Sequence, residues 1–318
     1  MSTYRQLKGY NVKKVDSDPA NPQIGQVWYN DTTNQIKVRS TIVAAWASGG
    51  ALVLARRGQG SAGTQTAGLA FGGTPPPDGN DVSEEYNGSA WTEGNNLNTG
   101  KTTTAGAGSQ TAAVGFGGET SGSNTKTTEE YNGTSWSEQN DMATARQALA
   151  GTGTQTAAIA IGGYTNTSVA NTEEYGGTSW TAGGALPVAK SVLSAAGTLT
   201  AGLAIGGNSY LATTEHYDGS SWTAGGNLNT GRINMGAAGL QTAAVTFGGS
   251  TGSNTAATEL YDGTSWSNSA SLATARRQIG GNGVLASALA HGGFAGADSA
   301  LTEEFSDTVV SSTKLDVS

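Results

Sequence analysis

The stretch TAAVGFGGETSGSNTKTTEEYNGTSW, residues 111–136, contains the features that recur along the whole chain. An apolar run leads into Gly117-Gly118, a polar segment follows, and the stretch closes on Glu129, Tyr131 and Trp136. The apolar runs have the length of a strand and are too short for a helix. The stretch therefore predicts short β-strands joined by glycine-containing turns.

The same features occur six times at nearly constant spacing. Tryptophans follow one another at separations of 45, 45, 44, 42 and 44 residues, at Trp46, Trp91, Trp136, Trp180, Trp222 and Trp266. Gly-Gly pairs begin at Gly72, Gly117, Gly162, Gly206, Gly248 and Gly292. An aromatic residue follows each pair, at Tyr86, Tyr131, Tyr175, Tyr217, Tyr261 and Phe305. A period of this length indicates a repeat architecture with one supersecondary unit per repeat.

Each repeat is predicted to form four strands. In the second repeat they cover roughly residues 103–108, 111–116, 127–131 and 135–138. Asn132-Gly133 separates the last two strands, and such a pair favours the positive φ of a tight hairpin. A four-stranded sheet buries both faces only by stacking on neighbours, and a closed ring of such sheets leaves only short, protected edges.

The order of an apolar strand ending in Gly-Gly, then Tyr131, then Trp136 resembles the kelch repeat. The resemblance runs from Trp46 to Phe305 and recurs in nearly every repeat. It implies an all-β fold, a six-bladed kelch-type β-propeller, to which an N-terminal β-hairpin attachment segment is added.

The two ends of the repeat array complement each other. Trp46 is not preceded by a Tyr unit, whereas Phe305 is not followed by a tryptophan. We therefore expect a strand near Trp46 to supply the outer strand of the last blade and to close the ring non-covalently. The predicted domains are an attachment segment at 1–45, the propeller at 46–308 and a C-terminal tail at 309–318.

One base and one acid recur in every repeat. The bases are Arg56, Lys101, Arg146, Lys190, Arg232 and Arg276, and the acids are Glu84, Glu129, Glu173, Glu215, Glu259 and Glu303. A feature present in all repeats favours a structural ion pair or hydrogen-bond anchor. The other interpretation is a ring of charge around a channel that binds an ionic ligand. The Trp and Tyr series is expected to pack between blades with its polar tips hydrogen-bonded.

Composition narrows the functional classes. The net charge of −8 disfavours nucleic acid as a partner, because such affinity rests on Lys and Arg at phosphates. The chain has no cysteine, and its two histidines, His216 and His291, fall at different positions of different repeats. We therefore expect no metal, no cofactor and no catalytic residue. Copper radical oxidases with a kelch propeller use a cysteine-linked tyrosine, which this sequence lacks.

No apolar run has the length of a membrane span or a secretion signal, so membrane insertion is not expected.

The segments between Gly-Gly and the following glutamate vary from repeat to repeat while the frame stays constant. In a four-stranded meander these segments lie on one face, opposite the short turns. Their polar and aromatic side chains suit recognition of a glycan or a protein surface; the alternative is that they are merely solvated loops. The candidate ligand-binding residues are Asp78, Asn80, Asn124, Tyr164, Asn166, Asn208, Tyr210, Asn254 and Phe294.

Residues 1–45 lie outside the repeat and carry six basic and three acidic residues. The phrase PQIGQVWYNDTTNQIKV, residues 22–38, predicts two strands around a polar turn. It resembles hairpins that begin virion and tail-fibre proteins of tailed bacteriophages, especially marine ones. The phrases TQTAAIAIGG, residues 154–163, and EEYNGTSW, residues 129–136, are similar to kelch-type propellers of the same phages.

This second resemblance implies a non-enzymatic virion structural protein, a tail or capsid-surface appendage. It would be made in the host cytoplasm without a signal peptide and would end on the virion surface. The N-terminal segment is expected to contact other virion proteins, and the loops to contact a host-surface glycan or protein. The alternatives are a cellular kelch-type interaction module or lectin and, from a different class, an enzyme that uses carboxylates of the loops. A monomer and a homo-oligomer both fit the sequence.

Overall fold

The computed structural model describes residues 12–17, 26–40, 44–74, 80–307 and 311–314. Every regular element among them is a β-strand, which confirms the predicted all-β class. The chain divides into two compact units: unit 1 combines Met1–Ala44 with Asp307–Ser318, and unit 2 is Ala45–Ser306.

Unit 1 contains one four-stranded sheet. In spatial order its strands are β1 (Lys13–Val15), β2 (Val27–Asn30), β3 (Gln35–Ser40) and β30 (Ser311–Lys314). The predicted hairpin is present, since β2 pairs antiparallel with β3 around a turn in which Asn30 Oδ1 accepts the Thr33 N–H. The C-terminal tail predicted at 309–318 contributes a strand, because β30 pairs antiparallel with β3.

Unit 2 contains six four-stranded antiparallel sheets among the described residues, called here the first to sixth repeat sheets. The first has β5 (Gly60–Gly63), β6 (Gly68–Phe71), β7 (Ser83–Tyr86) and β8 (Trp91–Glu93). The second has β9 (Ala105–Ser109), β10 (Ala112–Phe116), β13 (Thr128–Tyr131) and β14 (Trp136–Gln139). A small hairpin of β11 (Glu119–Thr120) and β12 (Ser123–Asn124) lies between β10 and β13. These strands of the second sheet begin within about two residues of the predicted positions.

The remaining repeat sheets follow the same plan. The third has β15 (Ala150–Thr154), β16 (Ala157–Ile161), β17 (Thr172–Tyr175) and β18 (Trp180–Ala182). The fourth has β19 (Ser194–Thr198), β20 (Ala201–Ile205), β21 (Thr214–Tyr217) and β22 (Trp222–Ala224). The fifth has β23 (Gly236–Leu240), β24 (Ala243–Phe247), β25 (Thr258–Tyr261) and β26 (Trp266–Ser269). The sixth has β27 (Gly280–Val284), β28 (Ser287–His291), β29 (Thr302–Ser306) and β4 (Ala45–Ser48).

The sheets form a closed, propeller-like ring. Each first strand contacts the first strand of the next sheet, from β5 through β9, β15, β19 and β23 to β27, and β27 contacts β5 again. The sixth sheet takes its outer strand from the beginning of unit 2. Trp46 pairs with Phe305 there, as Trp136 pairs with Tyr131 in the second sheet, and this is the closure that the sequence predicted.

The Gly-Gly pair ends the second strand of each sheet at a crowded corner. Gly117 and Gly118 have φ of 60° and 108°, in the region that L side chains rarely adopt. The N–H of Gly118 donates to the carbonyl of Arg146 in the next repeat, 2.9 Å away. A Cβ on Gly118 would lie 2.6 Å from the Thr102 carbonyl oxygen. The pair is therefore needed where three segments converge.

The tryptophans join neighbouring sheets. In five repeats the indole N–H donates to a threonine hydroxyl of the preceding sheet, as in Trp180 Nε1 to Thr128 Oγ1 at 2.9 Å. Trp136 is the exception. Ser83 stands at the acceptor position and donates its hydroxyl to the Asn95 carbonyl instead, which leaves Trp136 Nε1 without a partner among the described residues.

A second series of bonds runs from tyrosine to glutamate across the same boundaries. Tyr131 donates its hydroxyl to Glu85 at 2.5 Å, and the other bonds are Tyr86 to Glu304, Tyr175 to Glu130 and Tyr217 to Glu174. The Tyr261 hydroxyl is hydrogen-bonded to His216 Nε2, and this histidine takes the place of the glutamate. Burial and the bond to Glu304 raise the pKa of Tyr86 to about 12.

The boundary between the fifth and sixth sheets lacks both partners of this bond. Phe305 replaces the tyrosine and Leu260 replaces the glutamate. A lone glutamate or a lone hydroxyl would be left without its partner, so replacing both together removes a bond without stranding a polar group.

The natural Leu260/Phe305 pair predicts the outcome of a double variant. Tyr131→Phe strands Glu85 and should lower the free energy of unfolding by about 1–2 kcal/mol. Adding Glu85→Leu should recover most of that loss, because it reproduces the natural apolar pair at another boundary. Denaturant unfolding of the two single variants and the double variant measures the coupling. Additive losses in the double variant would contradict this account.

Candidate functional site

The recurring bases and acids form buried ion pairs, each within its own repeat. Nitrogen and oxygen lie 2.5 Å apart in Arg56–Glu84 and 3.1 Å apart in Lys101–Glu129. The other pairs are Arg146–Glu173, Lys190–Glu215, Arg232–Glu259 and Arg276–Glu303. No side chain of the twelve is more than 7% exposed.

Five of the six glutamates also hold the strap, the segment that leads from the last strand of one repeat sheet to the first strand of the next. The Asn98 N–H donates to Glu129 Oε2 at 2.7 Å, and equivalent bonds form to Glu84, Glu173, Glu259 and Glu303. In the fourth repeat this position is Pro187, which has no N–H to donate. Burial lowers the pKa of Lys101, and the neighbouring Glu129 counteracts that shift.

The centre of the ring holds a cavity of about 220 Å³ between the six inner strands. It is lined almost entirely by glycine and alanine, and its polar side chains are Ser61, Thr152 and Asn282. None of the paired bases and acids reaches it. The interpretation of the charge series as a ring around a channel is therefore wrong, because these side chains point into the sheets.

The two histidines have different surroundings. His216 is half-buried and its Nε2 lies 2.8 Å from the Tyr261 hydroxyl. His291 is fully buried, with its ring 5.0 Å from that of Trp91 and its Nδ1 3.4 Å from Gln59 Nε2. Burial, together with the charges of Arg56 and Arg276, lowers the pKa of His291 to about 3. His291 is therefore neutral at pH 7 and fills the position held by Phe71 in the first sheet.

The variable segments after Gly-Gly and the straps together form the loop face. Antiparallel bridges join the two within a repeat, as between Gln147 and Tyr164. Neighbouring repeats are joined as well, since Asn124 Nδ2 donates to the Thr165 carbonyl at 2.9 Å and Asn254 Nδ2 to the Phe294 carbonyl at 2.8 Å. The loop face is thus braced around the ring.

The predicted ligand-binding residues fall into three groups. Several asparagines act as braces: Asn124 and Asn254 as above, and Asn208, whose Oδ1 accepts the Ser191 N–H at 2.7 Å. Tyr164, Asn166 and Tyr210 are exposed. Asn80 and Phe294 are half-buried, and Asp78 lies outside the described residues.

Tyr210 is held in an uncommon backbone conformation. Ser209 and Tyr210 both have positive φ, 48° and 63°, in a turn closed by the Leu211 N–H and the Asn208 carbonyl at 3.0 Å. Such a conformation costs a bulky residue about 1–2 kcal/mol. The Tyr210 carbonyl also lies where a Cβ of Gly231 would be, so the strap of the next repeat approaches the turn closely. Tyr210 therefore presents an exposed aromatic ring from a closed, strained turn.

Phe294 brings together two residues that the sequence pattern did not single out. The guanidinium carbons of Arg57 and Arg277 each lie over its ring, 4.8 Å from the centroid. Arg57 Nη1 also bonds Asp298 at 2.9 Å, and Arg277 Nη1 bonds Asn254 Oδ1 at 3.2 Å. The signal in the sequence was the doubled arginine, which only the first and last repeats contain.

Two features were looked for in the part of the chain that the structure describes: a cluster of metal-ligating side chains and a membrane-spanning helix. That part contains no group of three His, Cys, Asp or Glu side chains that could hold a metal ion. It also contains no helix whose length and apolar character would suit a bilayer span.

The chain matches no protein-family model and no curated protein. Its function is therefore inferred from the fold and from the contacts of its own residues.

The burial of His291 predicts acid sensitivity that His291→Phe should remove. Because its pKa is lowered in the folded state, the stability is present above the unfolded pKa near 6.5 and is lost as pH falls toward 3. Between pH 6.5 and 5 this residue should cost about 2 kcal/mol of unfolding free energy. Phenylalanine at this position already packs against Gly60 in the first sheet, and His291 packs against Gly280 in the same way. Denaturant unfolding at pH 7.5 and pH 5 measures the difference; an unchanged pH dependence in the variant would contradict it.

Proposed function

We propose that the chain is a non-enzymatic virion structural protein of a tailed phage, a tail or capsid-surface appendage whose loop face binds a glycan or protein of the host. Unit 1 is the part that we assign to contacts with other virion proteins. The kelch-type identity of the repeats and the phage provenance belong to this proposal, and the sequence resemblances described above support them.

The observation that carries the proposal is the contrast between the frame and the loop face. The repeated charges are buried and paired inside the sheets, and the repeated aromatics join one sheet to the next. These groups serve the ring itself. The features that differ from repeat to repeat lie on the loop face, where Tyr164 and Tyr210 are 41% and 44% exposed.

The chemistry of that face suits recognition by several weak contacts. Exposed tyrosines supply flat apolar area with a polar tip, which is the side-chain type that dominates many binding surfaces. Their backbones are fixed, Tyr164 by the bridge to Gln147 and Tyr210 by its closed turn. A fixed contact loses little conformational entropy on binding.

Incorporation into particles distinguishes the phage proposal from a cellular interaction module with the same loop face. We expect mass spectrometry of purified particles to contain peptides of this chain in constant ratio to the other structural proteins. A variant lacking both residues 1–40 and residues 309–318 should be lost from particles, because it removes unit 1 while leaving the ring closure at Trp46 and Phe305 intact. Both parts must be removed together, since β3 and β30 share a sheet. Absence of the full chain from purified particles would refute the proposal.

Binding of the full chain to host cells tests the loop face separately. The double variant Tyr164→Ser/Tyr210→Ser should reduce binding about tenfold or more, because each tyrosine removes a large fixed contact. A matched control is Leu240→Ser/Val284→Ser, which removes two exposed apolar side chains at the opposite, short-turn end of the inner strands. Equal loss in both double variants would show that general surface apolarity, and not the loop face, mediates binding.

A further inference from the structure

We infer that Arg57, Arg277 and Phe294 form a binding site for the carboxylate of an acidic saccharide, at the boundary between the sixth and first repeats. This inference deepens the adhesive role proposed above and rests on it, since it names the ligand class and the place on the loop face. It can be tested on the purified chain without any particle or host cell.

The geometry gathers two cations from opposite ends of unit 2. Arg277 forms a bridge with Phe294, whose N–H donates to the Arg277 carbonyl at 2.7 Å. Arg57 comes from the first repeat and reaches the same ring. Ring closure by β4 places these two repeats side by side, so the site exists only in the closed ring. Both guanidiniums lie over one phenyl ring and are therefore no farther apart than twice their 4.8 Å distance from its centre.

Arg57 and Arg277 each follow a buried base directly in the sequence, and this position explains why their side chains reach the surface. Arg56 and Arg276 point into the sheets and pair with glutamates, so the following side chain points the other way along the extended strap. In the other repeats this position is Thr102, Gln147, Ser191 and Ile233. Only the sixth and first repeats carry a cation at this position, and they are neighbours in the closed ring.

The charge balance of unit 2 makes this boundary exceptional. Unit 2 has nine Lys and Arg against nineteen Asp and Glu. Six bases are buried in pairs, which leaves Arg57, Arg277 and Lys126 for the surface. Two of these three lie at Phe294, where, among the described residues, Asp298 offsets one of the two charges. The pair is thus a local positive site on an otherwise acidic unit.

The hydrogen-bonding capacity of the two guanidiniums is only partly used. Among the described residues Arg57 donates to Asp298 and Arg277 to Asn254, each through Nη1 alone. A guanidinium that stacks on an aromatic ring keeps its in-plane N–H groups available for a carboxylate. Two such groups fixed by the same ring and by Asp298 and Asn254 lose little freedom when they bind an anion.

An isolated positive site selects a sparsely charged ligand. A densely charged polyanion such as nucleic acid would meet repulsion from the remaining acids of unit 2. A saccharide with single carboxylates among hydroxyls places one charge at the arginines and neutral groups elsewhere. Thr74 borders the site, since its hydroxyl donates to Asp298 at 3.2 Å, and the lone pairs of that hydroxyl can accept from a sugar hydroxyl.

The test is titration of the purified full chain, by calorimetry, with oligosaccharides that contain glucuronate, galacturonate or sialate. Each is compared with the same sugar after reduction of its carboxyl to an alcohol. We expect at least one acidic sugar to bind, with affinity that falls as salt rises, and its reduced form to bind at least about tenfold more weakly. Failure of all three acidic sugars, or equal binding of the reduced forms, would overturn the inference.

Three variants locate the site. Arg277→Gln and Arg57→Gln should each weaken binding about tenfold or more, because each removes a charge-assisted hydrogen-bond donor. Phe294→Ala keeps both charges but removes the ring that positions them, so it should weaken binding as well. Lys126→Gln is the matched control, since it removes the third surface cation with the same change of charge. Equal weakening by Lys126→Gln would reduce the effect to net charge and overturn the assignment.

Two further measurements distinguish loss of this site from misfolding and from general anion binding. All four positions are at least partly exposed, so a single cooperative unfolding transition with a small shift of its midpoint is expected and shows that the variants are folded. Competition with sodium sulfate tests whether any small anion binds this site equally well. If sulfate displaces the sugar at a concentration equal to the dissociation constant of the sugar, the assignment to a saccharide is overturned. Loss of sugar binding in Arg277→Gln with normal incorporation into particles would support this site. Particle association without any sugar binding would refute the site and leave the virion proposal standing.

Discussion

A charge can be buried in a protein only beside a partner, and unit 2 depends on six such pairs. In the fifth repeat Arg232 donates to Glu259 and also to the carbonyls of Gly248 and Ala257. Glu259 in turn accepts the N–H of Asn229 from the strap. One pair therefore fixes the Gly-Gly corner, the end of the variable segment and the strap at once. The loop face can differ between repeats because these anchors beneath it do not.

The same logic explains where the ring departs from its repeat. The tyrosine bond between sheets keeps a partner for each tyrosine, and at Leu260 and Phe305 both partners are replaced together. Side-chain size is also matched across a boundary. Asn282 is a large residue for an inner strand, and it faces Gly68 of the next sheet, where a Cβ would lie 3.0 Å from the Asn282 amide nitrogen. Variation within the frame is thus compensated across a boundary at these two places, and Trp136, whose indole N–H has no partner among the described residues, is the exception.

The fold was largely predictable because its determinants recur in the sequence. Repeat spacing, strand length and the unmatched Trp46 and Phe305 predicted the sheets and their closure, all of which follow from local pattern. The Tyr-to-Glu bonds were missed, since Glu85 precedes its tyrosine directly and its partner Tyr131 lies one repeat away. The pairing of β30 with β3 was missed because a lone short strand has no pattern of its own. The cluster at Phe294 depends on ring closure, which brings Arg57 to a residue more than two hundred positions away. The brace contacts of Asn124 and Asn254 have no signal in the sequence, because their acceptors lie in neighbouring loops.

Ring closure by β4 also decides how mechanical load would pass between the two units. The chain enters unit 2 at Ala45 and leaves it at Ser306, and these two residues face each other in the ladder of β4 and β29. Within unit 1, Ser40 and Ser311 face each other in the ladder of β3 and β30. Tension transmitted through both connections pulls on paired strands together, in the same direction, and so does not peel one from the other. A pull through a single connection would unzip the sixth sheet. Equal tension on the two connections would therefore leave the ladder of β4 and β29 paired.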